Sequence, residues 1–158
     1  MSKAGYGQLI CVLLLIAFIG FSFFVEEDTV KAADEIGAAV TENISTQGLK
    51  NFDGERLSSQ FGFDVDEFDS FFYCGSEDIM DVREILIIRD SEKAALEKAA
   101  KTIEKKSEEK YSTYKDYDPV ASSLLEKSVL EISRGAIIYI VHDDAAAGLE
   151  AFFKCVEE

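Results

Sequence analysis

Past residue 30 the chain alternates between stretches in which apolar residues recur every three or four positions and short runs in which they are continuous. After Asp28, a candidate cap, Val30, Ala33, Ile36, Val40 and Ile44 form one stripe and predict a helix ending near Ile44. Asp53 opens a short helix carrying Leu57 and Phe61, and Gly62 suits its C-terminal stop. The aromatic stretch Phe68 to Cys74 reads as a strand, and Gly75 to Asp81 reads as a connection. Between Arg83 and Arg89, Ile85, Leu86, Ile87 and Ile88 follow one another without a polar break. A half-exposed strand would alternate, so this one is expected to be central and covered on both faces.

Asp90 or Ser91 then caps a long helix to about Tyr114, with Leu96, Ala99, Ala100, Ile103 and Tyr111 on one side. Lys and Glu fill the other side, including Glu97 and Lys101 at a favourable four-residue spacing. Asp118 and Pro119 start a short helix. Ser128 to Ser133 and Ala136 to His142 form a hairpin reversing at Arg134-Gly135, and Ile137, Ile138, Ile140 and Val141 make its second strand another buried one. Asp143 or Asp144 caps a terminal helix bearing Leu149, Phe152, Phe153 and Val156. The expected fold is α+β: a four-stranded antiparallel or mixed sheet, built from two strand-strand-helix units, with helices packed over it.

An N-terminal transmembrane helix is expected ahead of this domain. Leu9 to Val25 carries no charge, and at about 1.5 Å rise per residue it reaches roughly 26 Å, close to what a bilayer requires. Lys3 precedes it while Glu26, Glu27 and Asp28 follow, which places the positive flank on the cytoplasmic side. The expected division is residues 1–8 cytoplasmic, 9–25 a membrane anchor or signal segment, and 26–158 an extracytoplasmic domain. Weak small-residue positions at Val30 and Ala32 leave secretion after cleavage as the alternative. Cys11 lies near the start of the apolar run, the wrong end for lipid attachment.

Charge narrows the partners. The chain has 16 basic against 31 acidic residues, and one of the basic ones, Lys3, precedes the apolar run. Nucleic acid is excluded on that balance, because phosphate backbones are held by clustered positive charge. No cofactor signature is present. Cys74 and Cys155 fall in a domain where oxidation is allowed, yet without framework spacing they read as buried thiols. Asn43-Ile44-Ser45 is a glycosylation sequon that matters only in a eukaryote.

From Arg83 onward the chain resembles the bacterial domain of unknown function 4358 family. The likeness is carried by Glu84-Ile85-Leu86-Ile87-Ile88 before the long helix, by the segment from Tyr114 to Pro119, YKDYDP, and by the Gly135 hairpin followed by IIYIVHDDA, with a looser match at Gln60-Phe61-Gly62. The resemblance implies an exported or lipid-anchored α+β domain, as in proteins of Firmicutes, and supplies no catalytic residue. This chain departs from the lipoprotein members by lacking an attachment cysteine.

Among candidate sites, Tyr111, Tyr114 and Tyr117, interleaved with Asp116, offer an amphipathic platform for sugars or peptides; the competing reading is that they close the core. His142 beside Asp143 and Asp144 reads as a strand-end histidine followed by a helix cap, since neighbouring strand residues point to opposite faces and do not converge on a metal. The acidic turn Asp64, Asp66, Glu67 and Asp69 fails the EF-hand pattern. The lysines of the long helix are balanced by its glutamates. A Cys-dependent envelope enzyme would use Cys74 and His142, but the aromatic strand around Cys74 opposes thiolate formation. The expectation is a non-enzymatic, membrane-anchored domain that binds a cell-envelope polymer or partner protein, with an accessory subunit of an envelope-modifying membrane enzyme as a further alternative.

Overall fold

The computed structural model describes residues 31–158. The expected membrane segment, residues 9–25, and the expected cap at Asp28 lie outside the described residues. Among those described, no helix is long and apolar enough to cross a membrane.

Five strands form one sheet: β1 (Leu49–Phe52), β2 (Ser70–Ser76), β3 (Glu84–Arg89), β4 (Val129–Ser133) and β5 (Ala136–Val141). Their order is β1-β2-β3-β5-β4, and every neighbouring pair is antiparallel. The expected four strands are therefore corrected to five, and the mixed alternative to a wholly antiparallel sheet. The added strand, β1, is short and carries Lys50 and Asn51 at the sheet edge, where polar residues discourage pairing with other chains and also erase the apolar signature of a strand. β2 also starts later and runs further than expected, with Gly75 and Ser76 inside the ladder opposite Glu84 and β1.

Helices cover both faces. On one, α1 (Ala33–Glu42) and α5 (Ala145–Glu157) pack Ile36, Val40 and Phe152 onto Phe72, Cys74, Ile85, Ile87, Ile138 and Ile140. On the other, α2 (Gly54–Phe61), α3 (Lys93–Tyr114) and α4 (Pro119–Glu126) pack Leu57, Phe61, Leu96, Ile103 and Leu125 onto Tyr73, Leu86, Ile88, Ile137, Tyr139 and Val141. Every residue of β3 and β5 is buried, including Glu84 and Arg89 at the two ends of β3, and the unbroken apolar runs between them are what a strand covered on both faces requires. Close approach decides one position on α1: a Cβ built on Gly37 would stand 2.3 Å from the Phe72 ring.

Several caps differ from expectation. The α1 N-cap is Ala32, and the helix is held instead by Ala33 N–H donating to Ser70 Oγ at 3.0 Å. The N-cap of α3 is Glu92, with Asp90 accepting its N–H at 2.6 Å and Asp69 accepting that of Ser91 at 2.8 Å. Asp118 caps α4 through the N–H groups of Val120 and Ala121, with Pro119 at the first helical position. In the β4–β5 reversal both Arg134 and Gly135 have positive φ, 46° and 75°, the pattern of a tight hairpin turn matching strand twist.

The sheet has two distinct ends. Lys31, the start of α1 and the end of α5 meet at one of them, where Lys31 Nζ donates to the Cys155 carbonyl at 3.0 Å and approaches Glu158. The β2–β3 connection and the end of α3 lie at the opposite end.

Candidate functional site

At that far end a cavity of about 340 Å³ opens between α2, α3 and the β2–β3 connection. Its floor is a buried polar group. Glu84 begins β3 in phase with Leu86 and Ile88, so its side chain turns toward the α3 face and is only 3% exposed. One carboxylate oxygen accepts from Tyr73 Oη at 2.9 Å and the other accepts from Lys110 Nζ, which reaches down from α3. Burial and the neighbouring Glu84 charge hold the Tyr73 phenol far above its ordinary pKa, so it remains a donor. The Lys110 ammonium also stands 5.6 Å from the centre of the Phe61 ring.

The walls continue the pairing of charges. Arg83 forks onto Asp81, with Nε–Oδ1 at 2.9 Å and Nη2–Oδ2 at 2.6 Å, and reaches Gln47 O at 3.2 Å. Hydrogen bonding from that guanidinium holds the Asp81 carboxyl below the usual carboxylate range, and the carboxylate raises the Arg83 pKa in return. Lys106 pairs with Glu109 along α3. Arg56 faces the cavity from α2 and lies over the Phe52 ring at 5.2 Å.

A tight turn builds the rim. Ser76 Oγ accepts from Asp78 N–H at 3.1 Å and Asp78 Oδ1 accepts from Met80 N–H at 2.9 Å, a local geometry that short polar side chains favour. Ile79 at its tip is 80% exposed, and the Tyr114 hydroxyl donates to the Ile79 carbonyl, fastening the turn to the end of α3. Burial, and after it the neighbouring Tyr117, pushes the Tyr114 phenol pKa upward. The Tyr114 and Tyr117 rings lie 5.4 Å apart at 36°, with Tyr117 57% exposed.

Of the residues singled out from the sequence, Tyr114 lines this cavity, Tyr117 stacks beside it and Asp116 is exposed next to them. Tyr111 opens instead on a separate depression between α3, α4 and β4. The three tyrosines are thus divided between two surfaces. Tyr73 and Glu84 carried no site reading in the sequence; Lys110 is one of the long-helix lysines read as balanced by glutamates, and Arg83 is where the family resemblance begins. The available signal was a glutamate in phase with the core positions Leu86 and Ile88 of a strand whose interior, Ile85 to Ile88, is wholly apolar.

Cys74 and His142 occupy different places. Cys74 sits on β2 in register with Ile85 and, through it, with Ile140 of β5; at about 4.8 Å per strand this puts β5 roughly 10 Å away, with His142 two residues further on. Burial pushes the Cys74 thiol pKa up. Both His142 nitrogens are engaged: Nε2 contacts Ser45 O at 2.8 Å, and Nδ1 accepts from Asp144 N–H at 2.9 Å. A carbonyl partner assigns the proton to Nε2, which leaves Nδ1 as the acceptor that caps α5 in place of the expected aspartate side chains. Cys74 and Cys155 are both buried free thiols.

A family model, Domain of unknown function (DUF4358), matches residues 42–142, a span from the end of α1 through all five strands. No curated protein and no solved structure matches the chain.

Proposed function

We propose that this chain, which belongs to the family Domain of unknown function (DUF4358), is a non-enzymatic binding module anchored by residues 9–25 in the cell membrane, with its folded domain outside. The cavity beside Tyr114 takes a short peptide segment of mixed charge, contributed by an envelope polymer or an exported partner. The observation that carries this reading is the buried Tyr73–Glu84–Lys110 group flooring an open cavity. Buried charges are retained at a cost in desolvation, and here both carboxylate oxygens are already satisfied, which suits fixed recognition better than proton transfer.

Composition and position support the same reading. Arg56, Arg83, Lys106 and Lys110 alternate with Asp78, Asp81, Glu84 and Glu109, so the cavity wall is balanced in charge within an acidic protein. Ile79, Met80 and Tyr117 add exposed apolar surface at its edge. The chain enters the described domain at the end opposite the cavity.

The test uses the full chain in uncharged detergent micelles and solubilised envelope peptide fragments. Saturable binding that Tyr114→Ala and Arg56→Ala each weaken supports the proposal. Equal binding by wild type and both variants removes the cavity as the site.

A further inference from the structure

Four basic and four acidic side chains line the Tyr114 cavity. Three pairs of them cancel: Arg83 with Asp81, Lys106 with Glu109 and Lys110 with Glu84. One charge of each sign remains. Among the described residues, Arg56 on α2 meets no carboxylate within salt-bridge distance, and no cation meets Asp78 on the β2–β3 turn.

Both leftover charges are held in place. The Arg56 guanidinium rests 5.2 Å from the centre of the Phe52 ring, and Phe52 packs in turn on Tyr73 with ring centroids 5.5 Å apart. A cation resting on an aromatic face loses less freedom on binding than a loose side chain. Asp78 is fixed by the turn it builds, where Oδ1 accepts from Met80 N–H and Oδ2 is left without a protein donor. The two charges also mark different parts of the cavity. At the floor, burial raises the Tyr73 pKa and Arg56 opposes the rise. At the rim, burial raises the Tyr114 pKa and Asp78 adds to it. Both side chains are exposed, so a ligand in the cavity reaches them.

A ligand of single sign suits this wall poorly. An anion without an ammonium meets Asp78 in a protein of net charge −15, and a cation without a carboxylate meets Arg56 with nothing to offer it. We infer, resting on the cavity as a peptide site, that the segment it takes carries one free carboxylate, held by Arg56, and one ammonium, held by Asp78. The guanidinium presents parallel N–H donors to the carboxylate, and Asp78 Oδ2 accepts from the ammonium.

Calorimetry on the full chain in uncharged detergent tests this with N-acetyl-Ala-Lys-Ala, which has one ammonium and one terminal carboxylate. Its C-terminal amide lacks the carboxylate, and norleucine in place of the lysine removes the ammonium. Wild type is expected to bind the parent peptide about five-fold tighter than either neutralised form. In Arg56→Gln the acid and the amide should bind equally. In Asp78→Asn, which keeps the acceptor for Met80 N–H, the lysine and norleucine peptides should bind equally. Equal affinity of wild type for all three peptides overturns the inference, as does a carboxylate preference that survives in Arg56→Gln or an ammonium preference that survives in Asp78→Asn; the cavity remains a peptide site in each case. If the parent peptide fails to bind while envelope fragments still bind through Tyr114, the inference alone falls. If neither binds, the cavity reading falls with it.

Discussion

Replacing Lys110 by Met removes the ammonium from Glu84 while keeping most of the side-chain volume. In the ion pair the Lys110 side chain is 22% exposed and that of Glu84 4%, so solvent screens the pair only weakly. Removing one partner from a buried pair costs about 3–5 kcal/mol, because the other charge is left uncompensated. Tyr73 still donates to Glu84, which places the expectation near the lower end, about 3 kcal/mol. With a urea slope of about 1.5 kcal/mol/M, the unfolding midpoint should fall by about 2 M. The double variant Glu84→Gln with Lys110→Met removes both charges, and the Gln carbonyl keeps an acceptor for Tyr73. It should lie within about 1 kcal/mol of wild type, since neutral replacement of a buried pair is often tolerated. Urea unfolding followed by circular dichroism reads both values. A loss below about 1 kcal/mol for Lys110→Met, the size of an exposed pair, or a double variant less stable than the single one, refutes the reasoning.

Three further outcomes are expected. Gly37→Ala should destabilise by about 1–3 kcal/mol, because the clash with Phe72 outweighs the gain in helix propensity; thermal unfolding measures it, and a stabilised variant would contradict the α1 packing. Asp81, with its pKa lowered chiefly by the Arg83 hydrogen bond, contributes stability that is present above the unfolded carboxylate value of about 3.9 and is lost as pH falls through the lower folded value. The stability difference between wild type and Asp81→Asn should therefore shrink on acidification below about pH 4, and a constant difference across that window would contradict it. Cys74, buried and with a raised thiol pKa, should react with thiol reagents at neutral pH only as fast as the protein opens; rapid labelling of the native chain would revive a Cys-dependent enzyme.

Much of the architecture was legible because it rests on local periodicity. The continuous Ile85–Ile88 and Ile137–Val141 runs specified two strands buried on both faces, and the structure places them side by side at the centre. Asp53 with Gly62 and Asp118 with Pro119 bounded α2 and α4 through cap chemistry that acts over three residues. β1 was missed because an edge strand of four residues buries too little to show a pattern. The site was harder to read for a related reason. Glu84 and Lys110 meet across 26 positions of sequence, and Tyr73 joins them only through the β2–β3 register, so no local spacing announces the group. Tyr114, which lines the cavity, draws attention in the sequence because an aromatic beside charged residues at a helix end is a local signal. The division of Tyr111 from Tyr114 and Tyr117 follows from tertiary packing, with α4 and β4 framing one surface and the β2–β3 turn the other.

The central claim is that the far-end cavity recognises an envelope peptide segment, and amide chemical shifts test it most directly. The full chain, labelled with ¹⁵N in uncharged detergent, is titrated with solubilised envelope peptide fragments. The account predicts saturable shifts concentrated at Ser76, Ile79, Arg83, Lys110 and Tyr114, and lost in Tyr114→Ala. Shifts that gather on other surfaces, or none at saturating fragment, would contradict it.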